Sequence, residues 1–140
     1  MGAVYVNTDL VIRARFDLGS LHSELADAGL DPIFSRLWHG VWESSFESEE
    51  HHHPSEAINH MLDVVDRLSP VGLKLWRACI SRRFNIGYQG SEDPFPWTDL
   101  RFTHTTWQFT APLLQRMGSV NASFVVTIYP LPELKADEAT

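Results

Sequence analysis

Between residues 55 and 68 the chain reads SEAINHMLDVVDRL, and Ile58, Met61, Leu62, Val65 and Leu68 fall at i, i+3, i+4, i+7 and i+10. On a helix these five side chains make one apolar stripe, with Glu56, His60, Asp63 and Arg67 as a polar ladder away from it. A helix of this kind draws most of its stability from burying its stripe, so the fold must offer it an apolar surface. Strands elsewhere in the chain supply that surface. Thr8 to Phe16 alternates, with Leu10, Ile12, Ala14 and Phe16 on one side and Val11, Arg13 and Arg15 on the other. That pattern predicts a half-buried strand. ISRRFNIGY places Ile80, Arg82, Phe84, Ile86 and Tyr88 on one side of a second strand, and NASFVVTIY sends Ala122, Phe124, Val126 and Ile128 to the core from a last one.

The remaining segments fill in the order. Gly19-Ser20 opens a helix with Ser20 as N-cap and Leu21, Leu25 and Ala28 at helical spacing. Gly29 ends it, Leu30 folds back as a hydrophobic contact, and Asp31-Pro32 prevents continuation. IFSRLWHGVWESSF reads as one aromatic-rich strand, with Trp38, Gly40, Trp42 and Ser44 sharing a side. Ser69-Pro70 interrupts the striped helix, and VGLKLWRACI gives a second helical segment. QGSEDPFPW is a turn-rich loop and DLRFT a short strand. TTWQFTAPLLQRMG is a helix ending at Gly118, in which Pro112 forces either a kink or a start delayed to Thr110. The result is an α+β fold: a mixed or mostly antiparallel sheet with helices packed on one face, in a ferredoxin-like layout with an extra helix pair. One domain is expected over residues 1–130, followed by a polar tail at 131–140. No internal repeat is present.

Several of these pieces together resemble a family of small bacterial proteins known only as a domain of unknown function. They are the opening strand with LHSELADAGLDP, then VWESS ahead of EAINHMLDVVDRLSPVGLKLWRA, and the ending DLRFTHTT…LLQRMGSVNASFVVTIYP. The resemblance spans about residues 8 to 130 and implies the fold, closed by a helix and a strand ending in Ile128-Tyr129. It implies no activity. The Thr105–Gly118 segment departs from the pattern, being longer and carrying Pro112.

Composition narrows the partners. The chain has 140 residues, of which 44% are hydrophobic and 21% charged, enough for one ordinary core. Eighteen acidic and eleven basic residues leave a net charge of −7. Nucleic-acid binders and proteins held at anionic membranes gather Lys and Arg, whereas here the only dense basic spot is Arg82-Arg83 with Arg77 nearby. Neither partner is expected, and the acidic balance suits a basic protein. No apolar run approaches the ~20 residues of a membrane span. The N-terminus lacks the pattern of a secretory signal or a myristoylation site, and a single cysteine, Cys79, fits a reducing cytoplasm.

Candidate chemistry is sparse. Glu47, Glu49 and Glu50 precede His51, His52 and His53, and His53 with Glu56 and His60 is the one arrangement with metal-ligand potential. A loop and one helix face offer no fourth ligand and no rigid second shell, so the segment reads as a solvated loop, with no metal or cofactor expected. Cys79 lies among Leu75, Trp76 and Ile80, the setting of an inert buried thiol. No P-loop, GxSxG or GxGxxG is present. The expected function is therefore a non-enzymatic protein-interaction domain of the immunity or accessory type. Phe95 and Trp97, framed by Pro94 and Pro96 beside Glu92 and Asp93, are its interface candidates. The competing role for Phe95 and Trp97 is to cover one end of the core. An alternative function is a small enzyme or ligand-binding protein with Arg82, Arg101, His104 and Glu43 gathered on the sheet face.

Overall fold

A computed structural model describes residues 4–48, 51, 53–89 and 108–129. Its elements run β1 (Val4–Ala14), α1 (Gly19–Asp27), β2 (Asp31–Trp38), β3 (Val41–Glu47), α2 (Pro54–Asp66), α3 (Pro70–Ala78), β4 (Ser81–Gln89), α4 (Ala111–Ser119) and β5 (Ser123–Tyr129). The five strands form one sheet in the order β2-β3-β1-β4-β5. All neighbours are antiparallel except β4 and β5, which run parallel and so require a crossover between them. The fold is α+β, with a mixed sheet and four helices against it. No helix of the described residues is long and apolar enough to cross a membrane.

The core is the layer between sheet and helices. Leu10, Ile12 and Ala14 of β1, Phe46 of β3, and Phe84 and Ile86 of β4 are fully buried there. They meet Ile58, Met61, Leu62 and Val65 of α2, so the apolar stripe finds the sheet. Leu21 and Leu25 of α1, Trp76 of α3, and Leu113 and Met117 of α4 complete it. Ser69 caps α3 by accepting from the Gly72 N–H at 3.0 Å, and Glu24 of α1 accepts from both the backbone N–H and the hydroxyl of Ser69. Helix α4 begins after Thr110 with Pro112 in its first turn, where the missing N–H costs nothing. Gly29 takes φ +116° after α1, and the Leu30 N–H returns to the Leu25 carbonyl as Leu30 is buried.

Four expectations change. IFSRLWHGVWESSF is a hairpin, because His39 and Gly40 take φ +52° and +77° and form a two-residue turn that reverses the chain. Trp38 then pairs with Val41 and Leu37 with Trp42, which puts Trp38 and Trp42 on opposite faces. Helix α1 starts at Gly19, whose N–H is held at 2.7 Å by the Asp17 carboxylate, so Ser20 is not the cap. Ile80 precedes β4 and turns outward, half exposed, while its N–H bonds the Arg13 carbonyl. Phe124, Val126 and Ile128 do lie in register with Phe84, Ile86 and Tyr88 on the helix side, but they stay 40%, 48% and 63% exposed. The reason is the position of β5, which among the described residues has a strand neighbour on one side only, so the cover there is incomplete.

Candidate functional site

Strand alternation sends the other half of each strand's side chains to the outer face of the sheet. Register then assembles rows across it. Arg36 of β2 faces Glu43 of β3, Glu43 faces Arg13 of β1, and Arg13 faces Ser81 of β4. Glu43 accepts from Arg13 Nε at 2.7 Å and from Arg36 Nη2 at 2.9 Å. Burial alone would push the Glu43 carboxyl up, but the hydrogen bonds and charges of the two guanidinium groups outweigh it and hold the carboxyl below its ordinary range. Along β2, Phe34, Arg36 and Trp38 alternate onto this same face. The Arg36 guanidinium lies 4.5 Å from the Phe34 ring centroid and 4.6 Å from that of Trp38. Trp38 is thus held by a cation that is itself held by Glu43, yet it remains 54% exposed.

Next to this network a cleft of about 580 Å³ opens, lined by Arg13, Trp38, His39, Val41, Glu43, Ile80, Ser81 and Arg83. Its volume falls in the range of small-ligand sites, roughly 300–1,000 Å³. No family model, curated protein or solved structure matches this chain. The site's chemistry rests on its own residues.

Of the four residues expected to converge on the sheet face, Glu43 lies in the cleft. Arg82 does not join it. Arg82 points to the helix side, buried, where Nη1 donates to the Trp76 and Cys79 carbonyls at 2.7 and 2.9 Å and Nε to that of Asn121 at 3.0 Å. It ties the end of α3 to the turn before β5. Arg101 and His104, like the interface candidates Glu92, Asp93, Phe95 and Trp97, lie outside the described residues. The charged cleft residues that sequence reasoning missed are Arg13 and Arg83. Their signal was present, since strands that bury Ile12 and Ala14, and Phe84 and Ile86 with Arg82, must turn Arg13 and Arg83 the other way.

The other motifs resolve as follows. His51 lies back over α2, with its ring centroid 5.5 Å from that of His60 and its Nδ1 4.0 Å from a Glu56 oxygen. His60 is therefore half-buried rather than fully outward, and His53 is exposed. His52 lies outside the described residues. Among the described residues no group of three His, Cys, Asp or Glu side chains is arranged to hold a metal. Cys79 is buried and its thiol donates to the Leu75 carbonyl; burial pushes it up to about 11, with the Arg82 charge pulling the other way. A thiol held this far up is not a nucleophile at neutral pH.

The opposite end of the outer face is acidic. Asp31, Glu47 and Asp9 stand in one row across β2, β3 and β1. Burial, and then the charge of Glu47, raise Asp9 from 3.8 to about 6. The folded state therefore holds the Asp9 proton more tightly than the unfolded chain does. Ionised Asp9 costs stability above about pH 6, and the cost fades as pH falls towards about 4. Asp9→Asn is expected to stabilise the protein by roughly 1 kcal/mol at neutral pH, less than the full shift implies because water screens the half-buried carboxyl. Urea denaturation near pH 7 and near pH 4 checks this: the gain should vanish at the lower pH. An equal gain at both would mean that Asp9 is not the group titrating.

Proposed function

We propose that this chain is a non-enzymatic protein-interaction domain of a bacterial cytoplasm, of the immunity or accessory type, and that the hairpin end of its outer sheet face is the contact surface. The observation that carries this is Trp38: half exposed at a two-residue turn, yet fixed by the Arg36–Glu43–Arg13 chain. Tryptophan and arginine are the usual anchors of interfaces, and an anchor already held in place loses little freedom on binding. The acidic row of Asp9, Asp31 and Glu47, together with the net charge of −7, suits a basic partner and speeds its approach. The lone cysteine fits a reducing compartment.

Trp38→Ala should leave stability within about 0.5 kcal/mol, since the indole covers little core. It should nevertheless abolish capture of the partner from the native host. The Phe95/Trp97 double alanine variant forms the second arm, because those residues are the sequence's own interface candidates. Recovery of the same proteins by wild type and by both variants would remove the contact surface from this reading. A large fall in melting temperature on Trp38→Ala would show that the indole is structural instead.

A further inference from the structure

The cleft beside Trp38 has a charge balance unlike that of the whole protein. Its lining carries two guanidinium groups, Arg13 and Arg83, against the single carboxylate of Glu43, in a chain of net charge −7. Glu43 is already shared between Arg13 and Arg36. Among the described residues Arg83 has no such partner: its Nε is buried and makes no hydrogen bond. A guanidinium N–H withdrawn from water with nothing to donate to is costly, and an anion in the cleft would meet that need. Register fixes the backbone spacing of the two residues. Arg13 pairs with Ser81 and Val11 with Arg83, so Arg13 and Arg83 are diagonal neighbours on one face, roughly 7–8 Å apart at their backbones. Two forks at that spacing can converge on one small acid group.

The remaining walls are apolar and partly aromatic. Trp38 and His39 place their rings 5.1 Å apart at the mouth, and Val41 and Ile80 add aliphatic surface, with Ile80 50% exposed. Exposed apolar side chains beside convergent polar groups are the usual make-up of a small-molecule site. With Glu43 counted, the lining has an excess of one positive charge, and Arg36, which shares Glu43, is turned to the Phe34 and Trp38 rings, so an acid group in the cleft meets the Arg13 and Arg83 forks.

We propose that this cleft binds a small organic monocarboxylate, its acid group received by Arg83 and Arg13 and its flat apolar body laid against Trp38, Val41 and Ile80. The site goes beyond the protein-contact reading and does not depend on it.

The test uses the full chain and benzoate, with benzamide as the neutral isostere and phenyl phosphate as the dianion, followed by amide and indole NMR shifts. Benzoate should give saturable shifts at Arg13, Val41, Ser81, Arg83 and the Trp38 indole, with a Kd on the order of 1 mM for so small a fragment. Benzamide should give no saturable shifts there, and Arg83→Gln should weaken benzoate roughly tenfold or more while the folded spectrum is retained. The wild-type shift map keeps the test decisive if Arg83→Gln fails to fold. Shifts that do not saturate, or that fall outside the cleft, would overturn the proposal, as would benzamide binding equally well. Tighter binding of phenyl phosphate would overturn the monocarboxylate assignment in favour of a phosphate ligand. Loss of partner capture on Trp38→Ala with benzoate binding absent would leave the protein-contact reading standing alone.

Discussion

Replacing Arg82 with methionine is expected to destabilise the protein by about 2–4 kcal/mol, although the new side chain is apolar and of similar length. Arg82 is buried on the helix side of the sheet and donates to three carbonyls, of Trp76, Cys79 and Asn121. The first two lie at the end of α3, where the Trp76 carbonyl also accepts the Cys79 N–H at 3.2 Å. The third belongs to Asn121, which sits at φ +58° in the turn leading to β5. Methionine fills the space but removes the Arg82 donors, so the Trp76 carbonyl keeps only the Cys79 N–H and the Cys79 carbonyl loses its buried bond to Arg82. Arg82→Lys should recover only part of the loss, because one ammonium cannot reproduce a planar fork. Urea denaturation monitored by far-UV circular dichroism measures both. A methionine variant as stable as wild type would mean that water or the neighbouring backbone satisfies the carbonyls.

The second large effect belongs to the apolar stripe. Leu62 of α2 is fully buried against the sheet, and Leu62→Ala should cost about 2–5 kcal/mol through lost burial and the cavity left behind. Asp63, one residue on, points away and meets Arg116 of α4, which also reaches Asp66 at 2.8 Å. Both carboxylates are more than half exposed, so Asp63→Ala should change stability by no more than about 1 kcal/mol. Adding salt should shrink the Asp63 effect and leave that of Leu62 unaltered. Equal losses for the two variants would show that the helix is turned differently on the sheet.

Much of the fold was legible because the signals were local. The stripe from Ile58 to Val65 names the buried face of α2 without knowledge of anything else, since helix periodicity and burial coincide there. The same holds for Leu10, Ile12 and Ala14 on β1 and for Phe84 and Ile86 on β4. The β2–β3 hairpin was not legible. Its turn is His39-Gly40, and histidine at positive φ carries none of the signal that Asn-Gly or Asp-Gly would. Aromatic residues on both sides then made two strands look like one. The burial of β5 was overestimated because alternation reports which side chains share a face and not how far that face is covered.

The site divides along the same line. Sequence alone determined that Arg82 and Arg83 must part to opposite faces, that Arg13 opposes the core on β1, and that Glu43 sits within a β-favouring segment. It could not determine which cations would meet that carboxylate. Strand pairing is a contact between segments distant in the chain, and its register is set by the His39-Gly40 turn and by how the buried layers stack. Only the tertiary structure put Arg36, Glu43, Arg13 and Ser81 into one row. It also gave Arg82, which alternation already sets beside Phe84 and Ile86, its partners, because the carbonyls at the end of α3 and at Asn121 converge on the helix side and offer a guanidinium three acceptors. Arg83 was left facing the cleft with its Nε unpaired, since nothing among the described residues on the outer face reaches it.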